Sequence, residues 1–161
     1  MIEEYHFGSI TILGRNYTHD VEVRWTGDVL DWWRGKSHLI NAEDVKRAIE
    51  QNPDLIVIGT GESGIAKVTE RAKEEILSKG IGLIVDKTEE AVKTFNIQKE
   101  RAEEEDGKQK KVSVAPPSKV IFIGAGVNKD GGIRVCRTKV ILPAVSIFTL
   151  MEVRLPLISP G

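Results

Sequence analysis

A glycine-rich loop, Gly59–Gly64, is the segment whose residue types and spacing best match a known chemistry. Its letters fit the pattern G-x-G-x-x-G, it follows an apolar run, and Asp86 lies 22 residues after Gly64. In the dinucleotide-binding fingerprint, such glycines admit a pyrophosphate to a helix N-terminus and a later acid binds the ribose. The spacing therefore raises the hypothesis of a nucleotide site.

Two features of the same loop argue against that hypothesis. Glu62 would place a carboxylate beside the phosphates, and the next helix is predicted to begin only near Thr69, several residues after the last glycine. The alternative is a tight connection between a strand and a helix in which glycines supply positive φ angles. Because ligands favour the carboxyl ends of parallel strands, the loop remains a candidate ligand site. Its candidate binding residues are Gly59, Gly61, Glu62, Ser63 and Gly64, with no cofactor predicted.

The segment Trp32-Trp33-Arg34 is the second candidate. Adjacent tryptophans of an extended chain cannot both point inward, so at least one is predicted to be partly exposed. Arg34 is predicted to lie at the surface within roughly 10 Å of the glycine loop, where it could receive an anionic group. On that interpretation Arg34→Ala changes stability by about 0.5 kcal/mol or less. The competing interpretation is a tryptophan lid that packs over the preceding strands.

No catalytic or metal-binding constellation can be assembled from the sequence. The three histidines are widely spaced and the chain has one cysteine, so no metal ligand set and no catalytic residue is predicted. Four acids near the N-terminus have the spacing of solvent-facing and turn residues. These are Asp20, Glu22, Asp28 and Asp31. These grounds leave both an enzyme and a binding protein open, and they favour the binding role.

The pattern of apolar residues predicts an α/β fold with three layers, a central mixed sheet and helices on both faces. An N-terminal β-hairpin is predicted because Tyr17–Trp25 alternates after the turn at residues 14–16. Continuous apolar runs predict buried parallel strands, and capping residues predict the helix starts. The predicted strands are Ser9–Leu13, Tyr17–Trp25, Leu55–Ile58 and Ile81–Val85, and the predicted helices are Asn41–Gln51, Thr69–Lys79 and one that Thr88 caps.

Composition narrows the class of protein. The 161 residues are 40% hydrophobic with a formal net charge of −1, which indicates a globular chain without general attraction to nucleic acid or a membrane. The N-terminus is acidic and lacks the apolar core of a secretory signal, and the apolar run Val140–Met151 is too short to span a bilayer. A single cysteine fits a reducing compartment. We therefore expect a cytoplasmic protein. Three kinds of partner stay open: another protein, a small anionic ligand and a second copy of the chain.

The charge changes sign near residue 111. Residues 1–111 carry a net charge of −5 and residues 112–161 carry +4. The hydrophilic stretch Gln98–Lys111 and the pair Pro116-Pro117 between them suggest a boundary. The expected organisation is an α/β domain over residues 1–111 and an atypical extension over residues 112–161. If the extension is not integral, proteolysis between Gln98 and Pro117 is expected to leave a folded core.

Taken as a set, the N-terminal motifs resemble a widespread family of small proteins of unknown function. Its eukaryotic relatives include a mitochondrial complex I assembly factor and an adipogenesis-associated protein. The resemblance covers about residues 6–111, in order, and implies a three-layer fold, with no established catalytic mechanism. The motifs that carry it are Phe7–Ile12 with Gly14, Tyr17–Val21, Trp32–Arg34, His38, Leu55–Gly61, Gly80-Ile81 and Thr88–Asn96.

The chain departs from this family after Lys111. Members typically end in a short apolar strand and a His-x-Thr-Cys terminus, whereas here about fifty other residues follow. Two interpretations stay open, a reading-frame change and an extension that supplies strands to the sheet. The strands proposed for such an extension are Val120–Ile123, Ile133–Val135 and Lys139–Leu142.

Overall fold

The structure, a computed structural model, describes residues 1–106 and 117–127. Within these residues, ten strands and three helices follow each other in chain order. The strands are β1 (Ile2–His6), β2 (Ser9–Ile12), β3 (Arg15–Tyr17), β4 (Val21–Val23), β5 (Val29–Asp31), β6 (Leu39–Ile40), β7 (Leu55–Thr60), β8 (Lys67–Val68), β9 (Gly82–Asp86) and β10 (Val120–Ala125). The helices are α1 (Ala42–Ile49), α2 (Glu70–Ser78) and α3 (Thr88–Asp106).

A five-stranded mixed sheet with the order β5-β4-β10-β7-β9 forms the centre of the fold. Strands β10, β7 and β9 are parallel, whereas β4 is antiparallel to both β10 and β5. Every residue of β7 and β10 is buried. Their continuous apolar runs explain this central position, since a strand covered on both faces needs apolar side chains on both. The predicted mixed sheet is therefore confirmed.

Two apolar cores cover the faces of this sheet. On one face α1 and α2 pack over Ile56, Ile58, Ile121 and Ile123. On the other face α3 and the antiparallel sheet β1-β2-β3 pack over Val57 and Phe122, among others. Alternate residues of each central strand thus point to opposite layers, as the twofold repeat of a strand requires.

Helices α1 and α2 begin and end close to the predicted residues because local capping chemistry marks their ends. The Asp44 carboxylate accepts a hydrogen bond from the Asn41 backbone N–H at 2.7 Å at the start of α1. The Thr69 hydroxyl accepts one from the Ala72 N–H at 3.2 Å at the start of α2. Gly80, with φ of 75°, follows the end of α2.

The predicted strand Tyr17–Trp25 is wrong as a single element. Strand β3 ends at Tyr17 in the small sheet, and β4 begins at Val21 in the central sheet. The chain changes sheets between them because Asp20 is buried there, where its carboxylate accepts a hydrogen bond from the Val127 N–H at 3.0 Å. The hairpin itself is present as β2 and β3.

The C-terminal block contributes a strand to the centre of the fold. The proposed strand at residues 120–123 is present as β10, which lies between β4 and β7. The other two proposed strands, Ile133–Val135 and Lys139–Leu142, lie outside the described residues. At least this part of the extension is therefore built into the sheet.

Asp54 fixes the entry of β10 into the sheet. Its carboxylate accepts hydrogen bonds from the backbone N–H groups of Ser118 and Lys119, at 3.1 and 3.0 Å, and from the Ser118 hydroxyl. The hydrogen bond from the Lys119 backbone is the largest of the contributions that lower the pKa of Asp54. The hydrogen bonds of the folded protein therefore stabilise the ionised form of the Asp54 carboxylate.

We expect Asp54→Asn to lower the unfolding temperature at pH 7. A folded-state pKa below the unfolded value means that Asp54 stabilises the fold above about pH 4, and that this contribution is lost as the pH falls through the folded pKa. Thermal unfolding of both proteins from pH 7 to pH 2 measures the difference. A gap that stays constant, or widens, toward low pH would show that ionisation of Asp54 is irrelevant to stability.

In the part of the chain that the structure describes, the helices are too short or too polar to cross a bilayer.

Candidate functional site

A cavity of about 300 Å³ opens at the carboxyl ends of β7 and β10. It lies where the parallel strands of an open sheet usually bind ligands. Part of the glycine loop and Arg34 meet in its wall, so the structure places these two predicted features together. The lining residues are Phe7, Arg34, Ser37, His38, Thr60, Gly61, Glu62, Ser63, Ile65, Ala66, Ala125 and Gly126.

The glycine loop is a tight turn that leads out of β7. Gly61 and Gly64 have φ angles of 98° and 69°, and the Gly64 N–H donates to the Gly61 carbonyl at 3.3 Å. Residues with side chains rarely adopt such angles. Both glycines are therefore explained by the backbone path, and Gly61 also lines the cavity whereas Gly64 packs against Lys87.

Thr88 holds the base of this loop. The sequence predicted it only as the cap of a helix. Its buried hydroxyl accepts a hydrogen bond from the Gly61 N–H at 2.8 Å and donates one to the Ala125 carbonyl at 2.6 Å. A Cβ atom on Gly59 would lie within 2.8 Å of Thr88, so only glycine fits there. Gly59 thus serves packing between β7 and α3 and does not line the cavity.

The loop departs from the dinucleotide-binding arrangement in the position of the helix that follows it. Strand β8, paired with β6, separates the loop from α2, so the N-terminus of α2 does not follow the last glycine directly. Asp86, the residue at the ribose-binding position, uses its carboxylate to accept a hydrogen bond from the Lys87 N–H at 2.8 Å. The helix is thus not placed as the fingerprint requires, whereas Asp86 lies at the end of β9 beside Gly59, where the fingerprint acid would stand.

We expect no binding of NAD, FAD or ATP tighter than about 100 μM, because Glu62 lines the place that a pyrophosphate would occupy. Isothermal titration calorimetry with each nucleotide tests this expectation. Micromolar affinity, which corresponds to about 8 kcal/mol of binding free energy, would contradict it.

Arg34 lies beside the loop as predicted, but the prediction that it is a surface residue is wrong. Only 5% of its area is exposed. Its Nη2 donates to the Asp20 carboxylate at 2.9 Å, its Nη1 donates to the Ser37 carbonyl, and the guanidinium carbon lies 5.5 Å from the centre of the Trp32 ring. Burial follows from this pairing, since a buried cation needs a counter-ion and hydrogen-bond acceptors.

The two tryptophans support the site without lining the cavity. Trp32 is 2% exposed, and its indole N–H donates to the Asp44 carbonyl of α1 at 2.8 Å. Trp33 is half-buried beside the ring of His19, with ring centres 6.4 Å apart. One tryptophan is thus partly exposed, as predicted, and neither lines the cavity, because Trp32 packs toward α1 and Trp33 toward His19.

The prediction that Asp20 and Glu22 face solvent is also wrong. Both are 1% exposed. Glu22 bonds to Arg24 and Arg47, each at 2.9 Å, so that one carboxylate serves two guanidinium groups. Buried carboxylates are retained where cations compensate them, and here one cation, Arg24, follows β4 directly whereas the other, Arg47, belongs to α1.

The turn between β1 and β2 contributes residues that the sequence did not identify. Gly8 donates its N–H to the Gly126 carbonyl at 3.3 Å, and the Tyr5 hydroxyl donates to the same carbonyl. These bonds bring Phe7 to the cavity. His38 reaches the cavity because its carbonyl accepts a hydrogen bond from the Lys67 N–H. No local pattern marks them, since both depend on contacts between distant segments.

The Tyr5 hydroxyl reports the electrostatic character of this end of the sheet. Burial, followed by the negative charge of Glu62, raises the pKa of Tyr5 to about 12. The carboxylates of Asp20 and Glu89 raise it further, whereas a hydrogen bond with Thr88 acts in the opposite direction. Tyr5 therefore stays protonated at neutral pH, and Glu62 is the charged group with the largest effect on it.

Over residues 1–106 and 117–127, no group of three or more histidine, cysteine or acidic side chains is arranged to hold a metal ion.

The fold and cavity define a small mixed α/β protein with one N-terminal antiparallel sheet. A model of a protein family of unknown function, DUF498/DUF598, matches residues 2–106, which is more than half of the chain. The chain belongs to this family. The family part of the resemblance seen in the sequence is therefore confirmed.

Solved structures share the fold. A conserved hypothetical protein from Pyrococcus horikoshii OT3 is 24% identical with a TM-score of 0.59, and the match covers 80% of this chain and 98% of that protein. The protein MT938 is 26% identical with a TM-score of 0.56, over 80% of this chain and 97% of that protein. A Bordetella parapertussis protein is 19% identical with a TM-score of 0.56, over 76% and 91%.

Proposed function

We propose that the protein is a non-enzymatic binding or assembly domain that uses the cavity at the carboxyl ends of β7 and β10. The observation that carries this proposal is the apolar rim of the cavity. Phe7 is 50% exposed and Ile65 is 58% exposed, and both line the opening. Exposed apolar side chains around a concave site are typical of surfaces that bind a partner.

The polar groups of the cavity fit a binding role. The charge of Arg34 is compensated inside the protein by Asp20 at 2.9 Å. Arg34 therefore holds the wall in shape and offers less attraction to an anion than an unpaired guanidinium would. Ser63 and Glu62 are exposed at the opening, where they can contact a bound group.

The wider family adds an expectation about the kind of partner. The eukaryotic relatives implied by the resemblance, an assembly factor and an adipogenesis-associated protein, favour a protein partner. The single cysteine of the chain fits a cytoplasmic location.

A titration followed by NMR tests the proposal. The full chain, labelled with ¹⁵N, is titrated with capped single-residue amides of leucine, phenylalanine, lysine and glutamate. We expect at least one of them to shift the amide signals of Gly61, Ser63 and Gly126 at millimolar concentration. Ser63→Phe, which fills the opening, is expected to remove these shifts.

Ser78→Phe is the matched control, because Ser78 is also exposed but lies at the end of α2, near the amino ends of the strands. It is expected to leave the shifts unchanged. If no amide perturbs the cavity signals, or if Ser63→Phe leaves the shifts intact, the cavity is not the binding site.

A small enzyme or anion-binding protein that uses the Gly59–Gly64 loop is the alternative. The observation that favours it is that His38 and Ser63, a base and a hydroxyl, line the same cavity. If the protein is an enzyme, the unmodified chain is expected to hydrolyse p-nitrophenyl acetate faster than His38→Ala or Ser63→Ala does. If it binds anions, acetate and phosphate are expected to shift the NMR signals of the cavity. Equal rates together with unmoved signals would exclude both forms of it.

A further inference from the structure

The cavity combines one carboxylate with exposed apolar walls. Glu62 is exposed at the opening, and its side chain forms no ion pair with any residue in 1–106 or 117–127. Phe7 and Ile65 flank the same opening with about half of each side chain exposed. An aromatic ring and a carboxylate around one cavity are the two groups that attract an ammonium ion.

The other charged groups at the cavity do not cancel this preference. Arg34 is the cation in the wall, and the buried carboxylate of Asp20 compensates it at 2.9 Å. Lys87 packs against Gly64 beside the loop but does not line the cavity. Glu62 is therefore the lining carboxylate that no ion pair compensates within residues 1–106 and 117–127, and its charge disfavours an anion.

The apolar walls favour a ligand whose cation is attached to an alkyl chain. A compact, strongly hydrated cation would gain little from Phe7 and Ile65, whereas an alkyl chain that ends in an ammonium group can use both parts. The volume of about 300 Å³ is at the lower end of small-molecule sites, so it accepts one side chain more readily than a cofactor.

We propose that the cavity binds an alkylammonium group, and specifically the side chain of a lysine exposed on a partner protein, with Glu62 as its counter-ion. This inference rests on the proposed binding function and identifies the chemistry of the bound group. The lysine stem lies between Phe7 and Ile65, and its ammonium group lies near Glu62.

The test compares two capped residues that differ in charge. The full chain is titrated by NMR with Nα-acetyl-lysine methylamide and with Nα-acetyl-norleucine methylamide, which has a similar stem but no ammonium group. We expect the lysine compound to bind about five-fold more tightly or better, because an exposed ion pair and a cation–π contact each add modestly. Glu62→Gln is expected to remove this difference while leaving the norleucine affinity unchanged.

A matched substitution controls for general charge. Glu74→Gln removes the same charge from the exposed face of α2 and is expected to preserve the preference for lysine. The preference is also expected to shrink at 1 M NaCl, since salt screens exposed charges. To distinguish a partner protein from a free amine, n-butylamine is compared with Ac-Ala-Lys-Ala-NH₂. Tighter binding of the peptide supports a protein partner, and equal binding overturns that part.

The outcomes separate the two proposals. Equal affinity of the lysine and norleucine compounds would overturn the ammonium inference and leave the binding cavity in place. Tighter binding of a capped glutamate would overturn it in favour of an anion. The absence of binding by every compound would remove the proposed function together with this inference.

Discussion

A chain that ends at Lys111 is expected not to fold cooperatively. It lacks β10, whose residues are all buried between β4 and β7. Full burial of a Val, Ile or Phe side chain contributes about 1.5–3 kcal/mol, and β10 has four of them, for about 6–12 kcal/mol. That range is as large as the whole stability of a typical domain, about 5–15 kcal/mol. Circular dichroism and urea denaturation of the truncated chain measure the loss.

Two point variants of the full chain separate β10 from the other residues that truncation removes. Ile123, Ile58 and Val85 occupy one row across β10, β7 and β9. Ile123→Asp buries a carboxylate at the centre of the sheet and is expected to unfold the protein. Val85→Asp makes a similar change at the exposed edge of the same row, where we expect about 1 kcal/mol or less. A folded, cooperative 1–111 chain would show that β10 is dispensable.

Local signals predicted much of the fold. The apolar runs of β7 and β9 marked strands, of which β7 is buried and β9 is the half-buried edge strand, and the capping residues marked the starts of α1 and α2. The place of β10 could not be predicted in the same way. Its register with Leu55–Thr60 on one side and with Val21–Val23 on the other joins segments that lie far apart along the chain. No local pattern specifies which distant strands a buried strand will pair with.

The sequence predicted which segments form the candidate site, but it did not predict the buried ion pair within it. The loop and Arg34 meet because both lie at the carboxyl edge of the sheet, a position that strand order implies. The burial of Asp20 was missed because it stands just before a strand of alternating pattern, where a polar residue ordinarily faces solvent. Its partners are Arg34, which no local pattern links to it, and the Val127 N–H, which reaches it because β10 ends nearby.

Arg34→Ala is expected to lower the free energy of unfolding by about 3–5 kcal/mol. The substitution removes the cation that lies 2.9 Å from Asp20 and leaves that carboxylate buried with less compensation. It also removes the donor to the Ser37 carbonyl, which helps to hold the segment at the cavity. Urea denaturation at pH 7 measures the change, and the slope of the unfolding free energy against urea is expected to stay the same.

A second ion pair provides the control. Arg47 bonds to the buried Glu22 at 2.9 Å, but 42% of its side chain is exposed and Arg24 also bonds to Glu22. Arg47→Ala is therefore expected to cost about 1 kcal/mol or less. The double substitution Asp20→Ala with Arg34→Ala is expected to lower the free energy of unfolding by less than the sum of the two single substitutions. Each single substitution leaves the other charge buried without its partner. If Arg34→Ala costs about 0.5 kcal/mol, as a surface substitution does, Asp20 cannot depend on Arg34 for its compensation.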